Sequence, residues 1–167
     1  QPVVGNDNTH RSGIVAAGLL TVRLFADRGL WRPEESDGPA LDVAAFGEEG
    51  GSLLTPGPLI RVAEGTQLVI RIRNALSQPL YVHGLLSHPA VDDATLSVPA
   101  GETREAHFLA GAPGTYFYWA TTAQSALETR TAFESQLGGA FIVDPRGNAV
   151  PDRVFVNHGK AVYLGKD

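Results

Sequence analysis

The 167-residue chain is 43% apolar and 19% charged, the balance of one globular domain that can bury a core without staples. Thirteen basic against eighteen acidic residues give a formal net charge of -5. Without a basic run this leaves no electrostatic footprint for DNA, RNA or anionic lipid, and no stretch approaches the roughly eighteen apolar residues of a membrane span.

Nineteen glycines and eleven prolines point to a turn-rich, all-β chain. Residues 1–17 are polar and rich in Gly and Asn, which predicts a flexible N-terminal arm. A first strand is expected over Gly18–Ala26, where Leu20, Val22 and Leu24 alternate with Thr21 and Arg23. Asp27-Arg28-Gly29 predicts a turn, Arg32–Pro39 a charged loop, and Leu41–Phe46 a second strand. Leu59–Val62 reads as a strand, and Glu64-Gly65 as the turn before the clearest one, Gln67–Arg73. There Leu68, Ile70 and Ile72 point one way and Gln67, Arg71 and Arg73 the other, although Val69 blurs the pattern. Further strands are expected over Leu80–Leu85, Thr95–Val98, Thr103–Leu109, Thr115–Ala120, Gly139–Val143 and Arg153–Val156. Thr122–Ser135 lacks turn residues and reads as either a long loop or one to two helical turns. About nine short strands between Gly/Pro turns predict a Greek-key β-sandwich. Its inner faces are expected to hold Val22, Leu24, Leu68, Ile70, Ile72, Phe108, Phe141 and Val143.

The chain has no Cys and no Met, so it cannot by itself build a blue copper site, which needs a thiolate, two imidazoles and usually an axial Met. Its histidines are His10, His83, His88, His107 and His158, and none forms a His-x-His pair. His107 alternates with Phe108 and reads as a sandwich-face residue. No Gly-x-Ser-x-Gly elbow is present, and Gly47–Ser52 lacks the ending that grips phosphate. The paired acids Glu48-Glu49 and Asp92-Asp93 point to opposite faces if extended. No residue earns a catalytic role. The run Tyr116-Phe117-Tyr118-Trp119 must alternate on a strand, two rings toward the core and two away.

Several segments fall in the order of the multicopper oxidases, laccases included. They are Trp31-Arg32-Pro33, Pro56-Gly57-Pro58-Leu59-Ile60-Arg61-Val62, Glu64-Gly65-Thr66, Arg73-Asn74-Ala75-Leu76, Pro99-x-Gly101, Gly114-Thr115-Tyr116-Phe117-Tyr118 and Gln136-Leu137-x-Gly139-Ala140-Phe141-Ile142-Val143. From about Gly18 to Pro145 the chain resembles the first cupredoxin (plastocyanin-like) domain of that family. Pro56, Gly57, Pro58, Gly114 and Gly139 are its structural motif residues, Gly57 and Pro58 shaping a rigid lead-in to the strand and Gly114 supplying the dihedral that turns the chain into the next. The resemblance sets the family's two histidine pairs at Tyr81 and His83, and at Trp119 and Thr121. In the family these four imidazoles are the domain's share of a trinuclear copper centre, completed by another domain. Here one imidazole remains, so His83 alone carries over as a metal ligand, a weak one.

The resemblance implies an all-β cupredoxin-type sandwich over 18–156, with 157–167 as a C-terminal tail or the start of a linker to a further domain. It implies the N-terminal domain of a laccase-like oxidase, acting on phenols, amines or metal ions with reduction of O2, but depleted in copper ligands and inactive alone. The alternative is a non-catalytic cupredoxin-like scaffold or interaction module. Copper is expected in the full-length family context and not tightly bound by this chain alone. The expected partners are further cupredoxin domains in the same or another chain, or a second copy, with no nucleic acid and no membrane. Opening on Gln1 rather than Met, the chain is expected to have lost an export signal or to have been trimmed, which suits a secreted or periplasmic location.

Overall fold

The computed structural model describes residues 1–34, 37–86 and 94–147, together with the strand pairing of Asn157–His158 with Ala161–Val162. The strands up to residue 147 are β1 Val3–Gly5, β2 Ile14–Ala16, β3 Leu19–Trp31, β4 Leu41–Glu48, β5 Leu53–Thr55, β6 Gly57–Ala63, β7 Gln67–Asn74, β8 Leu80–His83, β9 Thr95–Val98, β10 Thr103–Leu109, β11 Gly114–Thr121 and β12 Gly138–Asp144. One sheet has the order β1-β5-β4-β3-β7-β10, with β2 added beside β3. The other has the order β6-β12-β11-β8-β9. The chain crosses from sheet to sheet at β5–β6, β6–β7, β7–β8, β9–β10 and β10–β11, the exchange that makes a Greek-key sandwich.

Alternation decides which side of each strand faces in. Leu68, Ile70 and Ile72 of β7 are buried between the sheets, while Gln67, Arg71 and Arg73 face water. Val22, Leu24, Phe141 and Val143 join them in the core, and Phe108 packs against it partly buried. A smaller cluster of Val3, Phe25, Val43, Ala45 and Leu53 lies apart from the main core, with Trp31 packed on it.

The first seventeen residues differ from the loose arm that their composition predicts. β1 pairs parallel to β5, β2 pairs antiparallel to β3, and Ser12 N donates to Leu59 O at 2.8 Å. β1 and Ser12 have partners far along the chain, which local composition cannot show, whereas β2 closes a tight hairpin with the start of β3. Asp27-Arg28-Gly29 does not turn the chain. β3 runs straight through it to Trp31, paired with β4 from Leu24 to Trp31. Tertiary pairing overrides local turn preference here, and Arg28 reaches across to Asp42 in a two-pronged ion pair. β5 was not legible either, being three residues long. Thr122–Ser135 contains two single 3-10 turns, Leu127–Thr129 and Ala132–Glu134. The strand expected at Arg153–Val156 lies outside the described residues, as does most of 157–167.

Candidate functional site

The core-facing residues of β8 and β11 set the geometry. Leu80 and Val82 of β8, and Tyr118 and Ala120 of β11, are fully buried. Period-two alternation therefore sends Tyr81, His83, Trp119 and Thr121 to the opposite face. The antiparallel register puts Trp119 across from His83 and Thr121 across from Tyr81. All four positions singled out in the sequence thus form one two-by-two patch. The Trp119 and His83 rings lie nearly parallel, 6° apart, with centroids at 3.9 Å, a stacked cross-strand pair. His83 Nδ1 lies 3.4 Å from Thr95 Oγ1 on β9, while Nε2 is shut off from solvent. Thr121 is fully buried.

The loop before β8 is fixed by Asn74, itself fully buried. Its amide donates to Gln78 O at 2.8 Å and Val98 O at 2.9 Å, and its carbonyl oxygen accepts from Leu76 N at 3.0 Å. This ends β7 and ties the lead-in of β8 to β9. After His83, Gly84 takes φ +79, and a side chain there would strike Phe117 O, 2.7 Å from where its Cβ would stand.

Three of the structural motif residues, Gly57, Pro58 and Gly139, meet Tyr118. Its hydroxyl donates to Pro58 O at 2.7 Å, and burial, with the charge of Glu48, holds its pKa well above the ordinary tyrosine value. Gly139 lies across from Tyr118 in the register, and a Cβ there would fall 2.5 Å from the ring carbon Cζ. Gly57 also approaches the Tyr118 hydroxyl, and Pro56 follows a cis peptide bond from Thr55. Gly114 differs from expectation. It does not adopt the left-handed conformation that only glycine favours; instead a Cβ there would stand 3.1 Å from the Tyr116 ring.

The segment after β11 was not singled out as functional, yet it shapes the site. Arg130 Cζ stands 5.7 Å from the Trp119 ring centroid, within cation–π range. Its guanidinium Nη1 donates to Leu137 O at 2.8 Å and Glu134 O at 3.2 Å. Burial draws the Arg130 pKa down, and Glu134 opposes that. The Glu134 carboxylate is fully buried. It accepts from the backbone and hydroxyl of Thr122 and from those of Thr131. Burial pushes its pKa up, but the Thr122 and Thr131 bonds prevail and hold it below the ordinary glutamate value. One sequence signal marked this device: Thr131-Ala132-Phe133-Glu134 has the spacing of a capping box.

Among the described residues no three His, Cys, Asp or Glu side chains converge on a point where a metal ion could sit. His107 is an exposed face residue with Nε2 3.4 Å from Glu105 Oε2. His10 contacts the Thr9 hydroxyl at 2.9 Å, in the turn before β2. His88 and the Asp92-Asp93 pair lie outside the described residues, and of His158 only its strand is described.

Residues 53–148 match the family model for multicopper oxidase. The chain is 31% identical over 135 residues, 74% of its length, to a probable nitrite reductase-hydroxylamine oxidoreductase fusion protein of Kuenenia stuttgartiensis. It spans 16% of that relative. In three dimensions it resembles a multicopper oxidase from Campylobacter jejuni, a metallo-oxidase, with TM-score 0.63 and 22% identity over 89% of this chain and 30% of the other. It also resembles the copper nitrite reductase of Nitrosomonas europaea, with TM-score 0.59 and 25% identity over 81% of this chain and 45% of the other. The chain belongs to the multicopper oxidase family and forms a cupredoxin-like domain of it. It spans less than half the length of each of these relatives.

Proposed function

We propose that this chain serves as the N-terminal cupredoxin domain of a laccase-like multicopper oxidase, with a depleted copper-ligand set and no activity alone. The whole enzyme would oxidise phenols, amines or metal ions and reduce O2 to water. The observation that carries this reading is the two-by-two register of Tyr81, His83, Trp119 and Thr121 on one outer face. The family's histidine pairs fall on these four positions by resemblance.

Those positions offer one imidazole, one phenol, one indole and one hydroxyl. Thr121 Oγ1 is buried and has no hydrogen-bond partner among the described residues, but a neutral hydroxyl is a poor copper donor and an indole is none. The set does not fit a copper centre of imidazoles, so no step of oxygen chemistry is derived through it. The domain's part in the enzyme is then scaffold and surface. Phe117, two residues before Trp119 on the same side of β11, is 55% exposed, which suits burial against a further cupredoxin domain. The same residue favours a second reading, a non-catalytic module that associates through this face.

Oxygen uptake separates the two. With copper and a phenolic, an amine or a ferrous donor, the chain alone is expected to consume no O2. In a full-length enzyme whose other domains hold the copper, deleting this domain is expected to abolish uptake through loss of the scaffold. Turnover by the isolated chain would overturn the first reading, and a complete oxidase indifferent to this domain would favour the module.

A further inference from the structure

We propose that the Arg130 guanidinium is the resident cation of this face, standing in for copper, and that with the Trp119 stack it withholds His83 from Cu(II). The inference rests on the reading of Tyr81, His83, Trp119 and Thr121 as the family's ligand positions.

Arg130 is not a loose surface cation. Nη1 donates to two backbone carbonyls, Glu134 O and Leu137 O, and Nε points to a third, Leu127 O, at 3.4 Å. Leu137 O also accepts from Ala120 N at 3.0 Å. The carbonyl that fixes the guanidinium is therefore laced to the very strand that carries Trp119. Farther along, the Glu134 carboxylate binds Thr122 immediately after β11 and Thr131 beside Arg130. Both ends of the segment that carries Arg130 are fastened.

The chemistry of the replaced positions matches that placement. Four neutral imidazoles present lone pairs to a metal cation, whereas an indole presents a π face, which attracts a guanidinium and cannot ligate. Trp119 engages Arg130 and also covers the remaining imidazole at 3.9 Å. A divalent ion brought to this face would meet the charge that Arg130 holds beside Trp119, and in a partly buried site that repulsion is stronger than in water. The exchange is internally consistent: a ligand set for a bound cation has become a binding site for one supplied by the chain.

The test uses Cu(II) itself, read by calorimetric titration and by paramagnetic broadening of the His83 ring signals. In the parent, stoichiometric Cu(II) is expected to leave the His83 signals sharp. Arg130→Gln is expected to open the face, so that His83 broadens at the same copper level. A second pair of proteins carries Tyr81→His, Trp119→His and Thr121→His, with and without Arg130→Gln. Removing the arginine there is expected to tighten copper about tenfold or more. Broadening of His83 in the parent, or equal affinity with and without Arg130 in the restored pair, overturns the proposal. If the folded restored protein lacking Arg130 binds no copper at all, the assignment of the four ligand positions falls, and the proposal falls with it.

Discussion

Glu134 offers the sharpest test of how the segment after β11 is held. Its carboxylate accepts from Thr122 Oγ1 at 2.7 Å, Thr131 N at 3.0 Å, Thr131 Oγ1 at 3.1 Å, and from Thr122 N. Glu134→Gln keeps the size but turns one oxygen into an amide donor. Whichever way the amide points, the N–H of Thr122 or of Thr131 loses its acceptor. Losing one bond to a charged acceptor costs about 1.5–3 kcal/mol, since the threonine hydroxyl beside the new amide can turn to accept from it. That is roughly ten- to a hundredfold in local opening, and amide exchange at the affected threonine should speed up by that factor at a fixed pH. The pH dependence carries a definite sign. The folded pKa lies below the ordinary value of 4.5, so the carboxylate's contribution is fully present above that value. It is lost as pH falls through the lower, folded pKa. Protection at these amides, taken relative to the intrinsic exchange rate at each pH, should fall on acidification in the parent and stay flat in Glu134→Gln. Protection within a few-fold of the parent, with the same acid response in both proteins, would refute the reasoning.

Two further predictions concern the packing around Tyr118. Gly139→Ala places a methyl against a ring that is fully buried and cannot withdraw. A urea melt should show a loss of about 1–3 kcal/mol, as for other overpacked cores. The neighbouring Gly138→Ala meets its nearest atom only at 3.3 Å and should lose far less; equal losses would mean that the Tyr118 contact is not the cause. In alkaline titration followed by tyrosinate absorbance, Tyr118 should stay unionised through the range around 10.0 where ordinary tyrosines ionise. Its raised pKa stabilises the fold fully below that value and is lost only as pH climbs through the folded pKa. A Tyr118→Phe protein that loses one ionising group from the native titration near 10.0 would contradict this.

The strands that were legible in the sequence are those whose own alternation is strong. β9 and β10 begin and end where their patterns do, and β7 runs one residue past its expected end. The strands that were not legible owe their existence to partners. β1 is three residues that pair with β5, also three residues, some fifty positions later, and neither has room to show a period. The second half of β3 contains Asp27-Arg28-Gly29, a sequence that locally favours a turn. It is extended because β4 supplies a ladder along it and because Gly29 leaves space for Val3 and Leu53, both of which would collide with a Cβ there. Local preference loses to contacts that a window of ten residues cannot contain.

The candidate site divides along the same line. That Tyr81 shares a face with His83, and Trp119 with Thr121, follows from a spacing of two on each strand. That the two pairs share one face depends on the register between β8 and β11, and the core side sets that register. Leu80, Val82, Tyr118 and Ala120 are all fully buried in the main cluster, so slipping either strand by one residue would drive its outer residues into the core. The residues at the outer positions play no part in setting that register. The scaffold therefore holds its shape whether those positions carry imidazoles or, as here, a phenol, an indole and a hydroxyl beside one imidazole. What covers the patch is a separate matter, decided by Arg130 and Glu134 in a segment with no strand pattern of its own. Selection can thus alter the ligand face and its cover without disturbing the sandwich, because core packing and outer chemistry occupy opposite sides of the same two strands.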